Sequence, residues 1–151
     1  MVEDSCAVLS WDSAFWGFTV GQVIGETLDE VLAAAIEQWS LQHSVRCLYF
    51  RCRPDDDQSV RTASGHRFDL VNTRVMLAKD AKSPLPASGL RVAQPRDIEA
   101  LVSVARTAHT DSRFYADPRF PRARCDDFYE TWLRQSTSGF ADVVLVRDEG
   151  G

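Results

Sequence analysis

The chain has 151 residues, 44% of them hydrophobic and 26% charged, with a formal net charge of −5. That balance supports a buried core and excludes a disordered chain. The acidic excess argues against nucleic acid as a partner, because phosphate backbones need a basic face.

The first 25 residues carry Glu3, Asp4 and Asp12 and no Lys or Arg. They lack the basic start and apolar run of a secretory signal. The longest uncharged stretch, Ser13 to Gly25, is interrupted by three glycines and several polar residues. No membrane insertion is expected. Cys6, Cys47, Cys52 and Cys125 form no C-x-x-C pair and no metal-type spacing with His43, His66 or His109. They are expected to be reduced thiols of a cytoplasmic protein, with no metal and no disulfide.

In chain order, Ala7 to Ser10 and Phe18 to Ile24 are expected as short strands around a turn at Asp12 to Gly17. Thr27 and Glu30 have capping-box spacing. Leu28, Val31, Leu32, Ala35, Ile36 and Trp39 then recur at helical spacing and predict one apolar helix face. Val45 to Cys52 is β-rich and stops before Pro54. Asp55, Asp56 and Asp57 suit a helix N-terminus better than a metal cluster, because consecutive residues point in different directions. A short helix to Ala63 follows from this. Phe68 to Lys79 alternates apolar and polar and predicts a half-buried strand.

Residues 1–80 carry 7 Lys or Arg against 12 Asp or Glu, whereas residues 81–151 carry 10 of each. Between these halves, Ala81 to Gly89 holds two prolines and a glycine without periodicity. It is expected to link a domain of residues 1–80 to one beginning at residue 90.

The second half begins with a strand, Leu90 to Ala93, then a helix opened near Pro95 with Asp97 and Glu99 in its first turn. Ile98, Leu101, Val102 and Ala105 make its apolar face. A polar loop, His109 to Phe120, follows. Pro121 opens a second helix with Cys125, Phe128, Tyr129, Trp132 and Leu133 at helical spacing, and Gly139 stops it. Ala141 to Arg147 is expected as a strand and residues 148–151 as a turn.

The loop carries most of the chemistry. Its twelve positions contain one His, two Asp, two Arg and three aromatics, and Arg106 to Arg124 holds five Arg against two Asp. Arginine forks suit phosphate oxygens and aromatic faces suit bases or sugars. The loop therefore fits an anionic small molecule. It equally fits a solvated helix connection pinned by Phe114 and Tyr115. Trp11 to Gly17 is a second candidate, against a plain turn whose aromatics belong to the core. Gln135 to Ala141 approaches the Q-x-x-G-x-A pattern of pyrophosphate loops but has one residue too many, and it follows a helix instead of opening one.

The runs Leu9-Ser-Trp-Asp-Ser-Ala-Phe-Trp-Gly17 and His109 to Asp126 together resemble the dTDP-fucosamine acetyltransferases, members of the GNAT superfamily. The similarity continues through Tyr129-Glu-Thr-Trp132 and Gly139 to Val146. The resemblance implies an α/β (mixed α+β) fold. Residues 1–80 would form a GNAT-like α/β domain, and residues 90–151 the first strand, two helices and second strand of a GNAT domain. It implies transfer of acetyl from acetyl-CoA to the amine of a dTDP-linked 4-amino-4,6-dideoxygalactose, in surface-polysaccharide biosynthesis. The nucleotide sugar is then the small-molecule partner. His109, Asp111, Ser112, Arg113, Phe114 and Tyr115 are the expected acceptor-binding residues, and Trp11, Asp12 and Phe15 a second site. No catalytic residue is assigned. The general acid and the acetyl-CoA loop of such enzymes would lie beyond Gly151, so this chain alone is expected to be inactive. The alternative expectation is a non-catalytic nucleotide-sugar-binding module, or a homodimerising one.

Overall fold

The computed structural model describes residues 4–78, 80 and 89–147. The architecture is mixed α/β, as expected, and falls into two units, Met1–Asp69 and Leu70–Gly151. Residues 81–88 of the expected linker and the turn expected at residues 148–151 lie outside the described residues. Among the described residues no helix is long and apolar enough to cross a membrane.

The first unit runs β1 (Cys6–Val8), α1 (Ser10–Trp16), β2 (Thr19–Val23), α2 (Glu30–Gln42), β3 (Val45–Tyr49) and α3 (Asp57–Gly65). Its sheet has the order β1-β2-β3. β1 pairs antiparallel with β2, Cys6 opposite Val23. β2 pairs parallel with β3, Thr19 opposite Val45. A parallel pair needs a crossover connection, and α2 supplies it.

The segment expected as a turn is instead the helix α1. Ser13 explains the difference: its hydroxyl donates to the Leu9 carbonyl at 2.7 Å and accepts from Val20 N–H at 2.9 Å. The helix is thereby fastened to the strand it precedes. Gly17, at φ 74°, closes it with an N–H bond to the Ser13 carbonyl.

The start of α2 also differs from expectation. Asp29, not Thr27, is the N-cap, and its carboxylate accepts from Leu32 N–H at 2.7 Å. The buried face shifts with it. Val31 is 80% exposed, while Ala33, Ile36 and Trp39 join Cys6, Val23, Leu28 and Ala63 in the core. Gly21 of β2 lets α2 lie close on the sheet: a Cβ there would meet Leu48 at 3.0 Å and Trp39 at 3.2 Å. α3 is tied back through Ser59, which accepts from Leu28 N–H at 2.7 Å and donates to Asp56 at 2.6 Å.

Residues 68–78 form no strand, contrary to their alternating pattern. Leu70, Val75, Met76 and Leu77 are each more than three-quarters exposed. Alternation states which residues a strand would bury, but a strand also needs a hydrogen-bonding partner.

The second unit runs β4 (Leu90–Val92), a 3-10 turn (Pro95–Asp97), α4 (Ile98–Ala108), α5 (Arg113–Ala116), α6 (Arg122–Gln135), a π turn (Ser136–Phe140) and β5 (Leu145–Arg147). The expected order of strand, helices and strand is present. β4 and β5 pair antiparallel, Leu90 opposite Arg147. β5 is shorter than the expected Ala141 to Arg147, because only its last three residues find partners on β4. The start of α4 is fixed by Asp97, whose carboxylate takes Gln94 N–H at 2.7 Å and both Arg91 guanidinium nitrogens at 2.6 and 2.9 Å. The Arg91 guanidinium, helped by Gln94 N–H, holds the Asp97 carboxyl well below the usual carboxylate range. α4 packs on α6 through Val102, Ala105 and Leu133. At the rim of this packing, Arg134 bonds Glu99 at 3.0 Å and Glu130 at 2.9 Å.

Candidate functional site

The loop between α4 and α6 is held from beneath by Phe114. That ring is 2% exposed and packs on Phe128 at 4.4 Å and Phe120 at 5.3 Å. The Phe114 carbonyl accepts from the buried Cys125 thiol at 3.4 Å. Asp117 is also 2% exposed; it takes Arg119 Nε at 2.7 Å and Arg119 N–H at 3.0 Å, closing the second half of the loop. Two short-range devices thus fix a segment with little regular structure of its own.

Above this base the loop builds a row of flat groups along α6. His109 stacks on Tyr129 with centroids 4.5 Å apart and planes 23° apart. Tyr115 lies parallel to Tyr129, at 6.2 Å and 5°. The Arg122 guanidinium sits 5.1 Å over the Tyr115 ring. Trp132, 41% exposed, meets the His109 ring edge-on at 6.4 Å. The order is Arg122, Tyr115, Tyr129, His109, Trp132. The Arg113 guanidinium lies 4.5 Å over the Phe114 ring.

The hydroxyl of Tyr115 donates to Asp126 Oδ1. Burial, and then that carboxylate, push the Tyr115 phenol above its ordinary range. Burial does the same to Tyr129. Both rings are therefore neutral hydrogen-bonding and stacking groups at physiological pH, not phenolates. Asp126 is committed to orienting Tyr115.

The expected acceptor residues divide in the structure. His109 and Tyr115 come together through Tyr129. Ser112 caps α5, its carbonyl accepting from Tyr115 N–H at 3.0 Å. Arg113 is placed by its stacking on Phe114. Asp111 is exposed, and its carbonyl accepts from Asn72 Nδ2 at 3.0 Å. Phe114 is a core residue that presents no open face, so its part is to hold the loop. In the first unit, Trp11 and Phe15 stack on α1 at 6.0 Å, and Asp12 lies in that helix's first turn.

Sequence reasoning did not place Arg122 or Asp126 in the site, and read Tyr129 and Trp132 only as residues at helical spacing. Their signal was present: Arg122, Asp126 and Tyr129 recur at i, i+4 and i+7, a polar and aromatic stripe on one face of α6. Among the described residues no cluster of three His, Cys, Asp or Glu could hold a metal ion, and all four cysteines are free thiols.

A separate cleft of about 280 Å³ opens beside the π turn, lined by residues that include Val92, Pro95, Ile98, Ser136, Thr137 and Val144. It contains the segment that approaches a pyrophosphate-loop pattern. The segment does not fit acetyl-CoA. Gly139, at φ 106°, breaks the helical conformation within the π turn that continues α6, and a helix C-terminus presents carbonyls and negative partial charge where a pyrophosphate needs N–H groups.

No protein-family model matches the chain, and no solved structure matches it significantly. Over 58 residues it is 33% identical to the spore coat polysaccharide biosynthesis protein SpsD of Bacillus subtilis (strain 168). The match takes in 38% of this chain and 20% of that protein, so the chain spans about a fifth of the relative's length.

Proposed function

We propose that the second unit is the acceptor side of an acyltransferase that acylates the amine of a nucleotide-linked amino sugar in polysaccharide biosynthesis. The observation that carries this reading is the row Arg122, Tyr115, Tyr129, His109 and Trp132, which the α4–α6 loop assembles beside Arg113. Supporting it are the placement of the two longer helices, α4 and α6, between strands β4 and β5 and the partial similarity to a protein named for spore coat polysaccharide biosynthesis.

A nucleotide sugar offers a flat base, a diphosphate and a sugar ring. Flat aromatic groups suit the base or the apolar face of the sugar. Arg113 and Arg122 suit the diphosphate, since each planar fork can bond two phosphate oxygens. In this reading the chain's residues bind and orient the acceptor so that its amine faces the acyl donor, an effect of position and not of acid–base chemistry. The donor's pyrophosphate is not held by these residues.

The test is steady-state acyl transfer by the complete gene product, with acetyl-CoA and a dTDP-linked 4-amino-4,6-dideoxy sugar. Thiol release that depends on the amino sugar is expected. Arg113→Ala should raise the Michaelis constant for the sugar by the equivalent of about 1.5–3 kcal/mol, the range for a hydrogen bond to a charged group. The constant for acetyl-CoA should stay unchanged. Equal activity on dTDP-linked sugars lacking the amine, or no acyl transfer at all, would refute the reading.

A further inference from the structure

In the first unit, His66 sits at the C-terminal end of α3 and reaches across to α2. Its Nδ1 lies 2.8 Å from Glu37 Oε1 and its Nε2 3.0 Å from Glu30 Oε2. The two glutamates are seven positions apart, two turns along one face of α2, and they take the imidazole from both sides. The imidazole is only 19% exposed, whereas the glutamates are 59% and 76% exposed. The ring is thus largely enclosed while its partners remain open to solvent.

A neutral imidazole has one N–H donor and one lone-pair acceptor. It can satisfy one of these carboxylates, but its second nitrogen would then face the other lone pair to lone pair. Only the imidazolium, with two N–H donors, satisfies both. The position of His66 gives this proton a structural consequence. The next residue, Arg67, holds φ 64°, a left-handed conformation uncommon for a side chain of its size. Through it the chain reverses, Phe68 N–H bonds the Ala63 carbonyl at 2.9 Å, and the Phe68 ring meets Phe50 at 6.2 Å. A second hydrogen bond that holds α3, from Leu28 N–H to Ser59, involves no group that titrates near neutrality.

We infer that His66 is a proton-operated clasp: as an imidazolium it pins the end of α3 to Glu30 and Glu37 of α2, and on losing its proton it releases the turn at residues 65–68. The charged groups that bear on the ring are those two glutamates, both from α2. Their hydrogen bonds, Glu37 ahead of Glu30, raise the His66 pKa above its ordinary value of 6.5. The sign follows from linkage. A raised folded value means the clasp's contribution is fully present below the ordinary histidine pKa. It is lost as pH rises through the folded value.

The experiment is an NMR titration of the His66 ring protons in the full chain, with amide exchange of residues 65–68 measured across the same pH range and corrected for intrinsic base catalysis. The clasp predicts a His66 midpoint above that of an unstructured histidine. Glu37→Gln and Glu30→Gln should each lower it, Glu37→Gln by more. The corrected exchange at 65–68 should step upward through the wild-type midpoint, and the step should vanish in His66→Gln. A midpoint at or below the ordinary value would overturn the inference. So would an exchange step that survives His66→Gln. The glutamine variants on exposed positions keep the test decisive even if His66→Gln fails to fold.

Discussion

Phe114→Ala tests whether the site rests on the core beneath it. The ring is 2% exposed and lies among Phe120, Phe128 and Tyr129. A buried aromatic removes at least about 150 Å² from water, which at about 25 cal/mol per Å² is about 4 kcal/mol. Alanine would recover a little under 1 kcal/mol of that, while the cavity left behind adds a further cost. The expected loss is about 3–5 kcal/mol, the range of buried Phe→Ala changes. A domain has only about 5–15 kcal/mol to lose, so the variant should sit near its unfolding midpoint at moderate urea concentration. Urea denaturation followed by near-ultraviolet circular dichroism gives the total. Amide exchange in α5 and α6 localises it. Phe114→Leu, which keeps most of the volume, should cost about half as much. A Phe114→Ala loss below about 1 kcal/mol, with normal α5 protection, would mean that the loop stands without this anchor, and the account of how the site is built would fail.

Gly21→Ala should destabilise the first unit by about 1–3 kcal/mol through overpacking, because its methyl would lie 3.0 Å from Leu48, 3.2 Å from Trp39 and 3.3 Å from Val45; an unchanged urea midpoint would contradict the close approach of α2 to the sheet. Asp126→Asn removes the carboxylate that, after burial, most raises the Tyr115 pKa, so the phenol should ionise at lower pH than in the wild type. Because the folded value is raised, that tyrosine favours the fold below its ordinary pKa, and the contribution is lost as alkaline pH passes through the folded value. Ultraviolet difference titration of the tyrosines reads the shift, and an unmoved Tyr115 titration would break the assigned pair.

Much of the second unit is written locally. The apolar spacing of α4, Pro95 and Pro121 at helix starts and Gly139 at a helix stop all lie where the structure uses them. The first unit was harder to read because neighbouring residues compete for one role. Thr27 and Asp29 are both good caps, and moving the start by two residues turned Val31 outward and Ala33 inward. Ser10 to Trp16 is too short for helical periodicity to show, and its fastening by Ser13 to Val20 comes from the following strand. For the candidate site, composition singled out the loop but not its partners on α6. His109 and Tyr129 are twenty positions apart, and Tyr115 and Asp126 eleven. Only the packing of α4 and α5 on α6 brings them together, and no spacing rule within one element encodes that.

The row along α6 and its loop are proposed to receive a nucleotide sugar. This proposal is tested most directly by NMR titration of the isotope-labelled chain with a dTDP-linked 4-amino-4,6-dideoxy sugar, following side-chain signals. Saturable shifts confined to His109, Arg113, Tyr115, Arg122, Tyr129 and Trp132 are expected, with smaller shifts at the same residues for dTDP alone. Saturable shifts centred on Trp11 and Phe15 of α1, or no shifts at millimolar sugar, would contradict it.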